Sequence, residues 1–198
     1  MKYLLLILLT FTITQRTQAQ LLDSLALDTA RTYMSIAEAL KTPDEVYKLS
    51  LRKHSYTQIP EGIKVFKNLN YLDVGKNRIK ELDSTLLAFE YLQVLNVEDN
   101  KLESLPTSIG QLKNLRKLIL NRNEIYLLPL ELGFCSRLET IDLWSNNIIE
   151  LPLTLNQITT LRAIDMRVIN MNLNQQKHLK ESFPNIKFYM SQTCNCGQ

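Results

Sequence analysis

The stretch Leu92–Asn114, "LQVLNVEDNKLESLPTSIGQLKN", changes its hydrophobic period three times. It begins as an alternation, with Leu95 and Val97 set against Asn96 and Glu98, so one face of a short strand is apolar and the other polar. Asn100 then falls where the chain turns out of that strand. Leu105-Pro106 follows, where proline fixes φ, cannot join a ladder and can open a helical turn. The tail places Ile109 and Leu112 at helical spacing. No single helix or strand reads this way, and the neighbouring sequence shows why. Val46, Leu69, Leu92, Leu115, Leu138 and Leu161 each open the same pattern, at intervals of 23 residues (69−46, 92−69 and so on). The unit is a repeat, and self-similarity at such a period marks a solenoid.

The written form L-x-x-L-x-L-x-x-N-x-L-x-x-L-P, met almost residue for residue from Leu92, Leu115 and Leu138, closely resembles the leucine-rich repeat family. The resemblance implies an α/β leucine-rich repeat solenoid, a horseshoe arc with a parallel concave β-sheet. Six units over residues 46–182 are closed by a partial unit, Phe183-x-x-Ile186-x-Phe188, 22 residues on (183−161), within a terminal segment 183–198. The residues carry the same conclusion without the family. Asn77, Asn100, Asn123 and Asn146 share one register, where a stacked carboxamide supplies a donor and acceptors to backbone groups that leave the ladder. Leaving such groups buried and unpaired costs about 1–3 kcal/mol each. His54 holds that register in the first unit as an edge substitute, and Ile169 holds it in the last, where the repeat closes.

The ends need lids. In residues 20–45, Leu22, Leu25, Ala26, Thr29, Ala30, Tyr33, Ile36, Ala37 and Leu40 share one helical face, which predicts a single N-terminal capping helix stopping ahead of Pro43. An amphipathic helix for a membrane or a partner is the competing reading, and the polar face lacks the basic enrichment of membrane-surface helices. "NLNQQKHLKESFPNIKFY" predicts a closing helix and a last strand. Residues 1–19 read as a secretory signal peptide: Lys2, the apolar run "YLLLILLTFTI", then Thr17-Gln18-Ala19 before a cut after Ala19. About eleven apolar residues fall short of the ~20 of a membrane span, so an uncleaved anchor is disfavoured and no stable membrane span remains after cleavage. This start and the approach to the array resemble exported leucine-rich repeat proteins of Gram-negative bacteria of the Bacteroidota type.

Cleavage removes two of the 23 basic residues, Lys2 and Arg16, and none of the 20 acidic ones, leaving a net charge of about +1. Charges of both signs are interspersed, which excludes a phosphate-tracking stripe and with it a nucleic-acid partner. Cys135 takes the register of Leu112 and Ile158 and reads as a small buried hydrophobe. Cys194 and Cys196 read as an oxidised pair or a disulfide link to a partner; a metal-ligand pair and a frayed end are the competing readings. Two thiolates without partners are too few for structural zinc. Nucleophile–base pairs and phosphate-cradling glycine loops are absent from the pattern, and His54 and His178 lie near opposite ends of the array, so neither catalysis nor a cofactor is expected.

What the pattern offers is a surface. Side chains alternating with the core residues project onto one sheet, the usual binding face of solenoids. Seven strands at about 4.8 Å give a face of roughly 30 Å, the scale of a protein or peptide ligand. Tyr71, Asp73, Glu98, Lys117, Asn121, Arg122, Asp142, Trp144, Asp165 and Arg167 are the candidate contacts, with Asn121 expected exposed and Trp144 as anchor. The expected function is that of an exported, non-enzymatic protein that binds a protein or peptide. The alternative is a cell-surface adhesive or structural protein for glycan or matrix, with Tyr71 and Trp144 as its aromatic platforms.

Overall fold

The computed structural model describes residues 20–191; the leader over residues 1–19, with its expected cut after Ala19, and the tail cysteines Cys194 and Cys196 lie outside the described residues. Eight strands form one parallel sheet in sequence order: β1 (Thr32–Tyr33), β2 (Lys48–Ser50), β3 (Tyr71–Asp73), β4 (Val94–Asn96), β5 (Lys117–Ile119), β6 (Thr140–Asp142), β7 (Ala163–Met166) and β8 (Lys187–Met190). The middle strands pair at the period read from sequence, as Leu72↔Leu95, Leu95↔Leu118 and Leu118↔Ile141 show. Each is short because the next residues turn away. Five 3-10 turns, at Glu61–Val65, Ser84–Ala88, Thr107–Gln111, Leu130–Phe134 and Leu153–Gln157, return the chain on the opposite side. Pro60, Pro106, Pro129 and Pro152 cap four of them. The fifth lacks proline, and there Asp83 accepts from the Thr85 N–H at 2.8 Å. Hydrogen-bonded strands stack more closely than these turns, so the sheet lines the inside of the arc.

The asparagines bind successive units. Asn123 Nδ2 donates to Leu120 O at 2.8 Å in its own unit and to Val97 O at 3.0 Å in the preceding one, and its Oδ1 accepts from Leu102 N at 3.0 Å. Asn77, Asn100 and Asn146 repeat the arrangement. Between sheet and turns one core runs from Tyr33 to Ile186 and includes Cys135, whose thiol burial pushes up to about 11.

Both ends depart from expectation. The single helix over Leu22–Leu40 is instead α1 (Ser24–Thr29), β1 and α2 (Ile36–Ala39), the helices capped by Asp23 and Ser35. Tyr33 and Ala39 enter the core while Leu25 and Leu40 face solvent, because Thr32 and Tyr33 gain ladder partners in β2 that a helix would forgo. The sheet thus has eight strands, not seven. The segment before α1 also doubles back along the array: Gln20 N and Leu22 N donate to Asn68 and Asn70, and Gln93 Nε2 donates to Leu22 O at 2.6 Å. At the far end α3 (Leu173–Ser182), opened by a capping box of Asn172 and Gln175, precedes β8. Ile164 pairs with Phe188 and Met166 with Met190, an interval of 24 (188−164). The partial unit therefore sits two residues out of the register expected from Phe183, because α3 inserts extra chain.

Candidate functional site

The geometry of the strand ends occupies several of the side chains expected as contacts. Asp73, Asn96, Asp142 and Asp165 each accept from the backbone N–H two residues on: Gly75 at 2.9 Å, Glu98 at 2.9 Å, Trp144 at 3.1 Å and Arg167 at 3.1 Å. These short side chains bend the chain out of the sheet, a role legible only as the 23-residue recurrence of Asp or Asn. Asp73 is almost wholly buried as well, and Arg52 Nη1 lies 3.1 Å from both of its oxygens.

In the N-terminal half Arg52, Asp73 and Glu98 satisfy one another. Arg52 reaches past Asp73 to Glu98 two units away, at 3.2 Å. It crosses over Gly75, where a Cβ would stand 2.6 Å from the guanidinium. Burial works against the Arg52 charge, but the hydrogen bonds and charges of Asp73 and Glu98 outweigh it and hold the guanidinium above its ordinary value. Tyr71 completes the cluster, with Oη 3.4 Å from Asp73 and Lys48 Nζ 5.6 Å from its ring centroid. Burial, with the charge of Asp73, pushes its hydroxyl pKa up.

In the C-terminal half the pairing is incomplete. Asp165 holds Arg167 in a two-pronged pair, with contacts of 2.6 and 3.0 Å, and that bond with the charge raises the arginine. Asp142, on the adjacent strand, is half-buried and, among the described residues, has no lysine or arginine at salt-bridge distance. Burial pushes its carboxyl up; the Trp144 N–H opposes, Asp165 and Glu98 add to the rise, and Arg167 detracts. Arg122 stacks over the partly exposed Trp144 ring at 4.6 Å. Asn121, expected exposed, is instead buried: it is 8% exposed, and among the described residues its Oδ1 has no hydrogen-bond partner. So little exposed, it offers a partner almost no surface.

Beside these groups lies a hollow of about 270 Å³ floored by Ile119, Ile141 and Ala163 and edged by Lys117, Asp142, Asp165 and Tyr189. A second, of about 310 Å³, shares Lys117 and Thr140 and runs under Leu27 and Asp28 of α1. The face is therefore a groove, walled by α1 along the edge where β4, β5 and β6 begin. Sequence reasoning missed this wall, and missed Tyr189 because the two-residue slip hides it from the column of Asp165. The structure brings together Lys117, Arg122, Asp142, Trp144, Asp165 and Arg167; Tyr71, Asp73 and Glu98 belong to the satisfied cluster. Among the described residues no group of three metal-ligating side chains converges.

A family model describing a leucine-rich repeat region matches residues 68–191. No curated protein sequence matches the chain. Among solved structures, a leucine-rich repeat protein of Leptospira interrogans is similar at 23% identity and a TM-score of 0.61, over 82% of this chain and 48% of that one. The ectodomain of the plant membrane receptor kinase GASSHO1/SCHENGEN3 from Arabidopsis thaliana, solved with CASPARIAN STRIP INTEGRITY FACTOR 2, is similar at 24% and 0.57, over 73% of this chain and 18% of that one. The plant peptide hormone receptor RGFR1, solved with RGF2, gives 23% and 0.58, over 76% and 25%. The chain spans half the length of these proteins or less, and the likeness is one of fold.

Proposed function

The chain belongs to the leucine-rich repeat family, and from that footing we propose that it is an exported, non-enzymatic binding protein that holds a protein or peptide in the C-terminal half of its sheet groove. The observation that carries this reading is the contrast between the halves. Arg52, Asp73 and Glu98 close their own network, whereas among the described residues Asp142 and Lys117 form no ion pair, and they frame a hollow whose Asp142 also accepts from the Trp144 N–H. Tryptophan and arginine are the side chains most often found to dominate interfaces. Export rests on the signal-like start; among the described residues no helix is long and apolar enough to cross a membrane. Two plant receptors of similar fold were solved in complex with partners, one of them described as a peptide hormone receptor, which supports a binding role.

The glycan reading fares less well. Stacking on a sugar needs a free aromatic face, and Tyr71, Trp144 and Tyr189 each carry a cation over the ring: Lys48 on Tyr71, Arg122 on Trp144 and Lys187 on Tyr189. The test pairs a glycan array with a proteome array. For a captured peptide, Trp144→Ala is expected to weaken binding by about thirtyfold, equivalent to ~2 kcal/mol. A folded mutant with unchanged affinity removes Trp144 from the site, and capture on the glycan array alone overturns the proposal.

A further inference from the structure

The opposite flank of the last units carries a feature that the sheet groove does not use. Leu130, Ile149 and Leu153 are 62%, 71% and 64% exposed, and Tyr126 and Leu127 stand beside them. They form one patch. Ile149 N donates to Tyr126 O at 3.1 Å, Leu127 bridges to Glu150, and Thr154 Oγ1 donates to Leu130 O at 2.7 Å. The patch continues into a cavity of about 380 Å³ beneath α3, lined by Leu151, Met171, Leu179 and Phe183.

The repeat supplies its own control. One and two units earlier, the positions of Tyr126, Leu127 and Leu130 hold Glu103, Ser104 and Thr107, then Lys80, Glu81 and Ser84. Those units build the same strand, turn and core with polar side chains there, so the fold does not require the aliphatic ones. Contiguous exposed apolar surface of this sort marks an interaction site. Its border is acidic: Glu103, Glu124, Glu131 and Glu150 surround it, and of these only Glu124 has a salt-bridge partner among the described residues, Lys101 at 3.3 Å.

We propose that this flank is a second docking surface, for a protein segment that presents an aliphatic face bordered by lysine or arginine. Charge decides among the occupants. A second copy meeting the patch through a two-fold axis would set the same acids against each other. An anionic bilayer would be repelled by them. A basic amphipathic segment answers both the apolar floor and the unpaired carboxylates, and the cavity beneath α3 receives one of its aliphatic side chains.

The experiment measures fluorescence anisotropy of a labelled amphipathic Leu/Lys helical peptide against the folded protein, beside a Leu/Glu peptide, phosphatidylserine vesicles and sedimentation of the protein alone. Leu130→Thr with Leu153→Ser keeps the fold, since Thr107 and Ser84 occupy the Leu130 position in earlier units, and is expected to weaken Leu/Lys binding by about tenfold or more. Glu131→Gln with Glu150→Gln should weaken it and flatten its salt dependence, while Trp144→Ala leaves it unchanged. The proposal is overturned by undiminished binding of the leucine variant, by equal binding of the Leu/Glu peptide, by absence of Leu/Lys binding, or by vesicle binding or self-association that the leucine variant abolishes.

Discussion

Asn121 and Asn123 lie two residues apart and are almost equally buried, yet they do opposite things. Asn123→Ala leaves the Leu102 N–H and the Val97 and Leu120 carbonyls short of partners and is expected to cost about 3 kcal/mol. Asn121→Ala removes an acceptor that has no donor and should cost about 1 kcal/mol or less. Urea denaturation separates them, and equal midpoints would show the ladder register to be misplaced. Position in the repeat foretold Asn123; nothing in a period foretells that Asn121 is buried as well. Asp142 is the other informative residue. Its carboxyl pKa is raised in the folded chain, chiefly by burial, so the fold prefers the protonated form, and stability falls as pH climbs from the unfolded to the folded pKa. Asp142→Asn keeps an oxygen for the Trp144 N–H, as Asn96 does for Glu98, and should abolish that decline. A melting temperature that still falls across the same window would assign it to another group.

At the scale of elements, the strands and turns were legible because a period of two and a proline at fixed offset are local signals. The convex packing was not, because it depends on what a neighbouring unit puts opposite each glycine. A Cβ on Gly133 would lie 2.5 Å from Thr154 Cβ and 2.7 Å from its carbonyl oxygen, and one on Gly110 would collide with the Glu131 carbonyl. These glycines let successive 3-10 turns nest. Gly133→Ala should cost about 1–3 kcal/mol by overpacking, whereas Gly62→Ala, with open space around it, should not destabilise; thermal unfolding of the pair checks both. The N-terminal helix was misread for a related reason. Its helical spacing is real, but β2 offered Thr32 and Tyr33 a ladder edge, and edge pairing outweighs helix propensity in so short a segment.

At the scale of the molecule, units pack mainly against their neighbours, with Arg52 to Glu98 and the doubled-back cap segment as longer reaches, so the array behaves to a first approximation as a sum of unit and interface energies. Deleting residues 115–137 removes one period and joins Asn114 to Leu138 in register. The shortened chain should fold with a lower midpoint and lose groove binding, having lost Lys117 and Arg122. Deleting residues 115–126 instead puts later strands out of phase and should leave the chain unfolded by circular dichroism; a folded product would refute nearest-neighbour phasing.

The column Ile119, Asp142, Asp165 and Tyr189 advances one strand at a time, about 4.8 Å per step. A ligand lying across it meets a ruler of fixed pitch. A β-extended peptide turns the same side to the sheet every ~6.7 Å and soon drifts out of step. A polyproline II chain repeats every third residue, at ~9.3 Å, and so keeps time with every second strand, at ~9.6 Å. The groove thus filters backbone pitch before it reads any side chain, and proline substitutions along a captured peptide should tighten binding where they enforce that pitch.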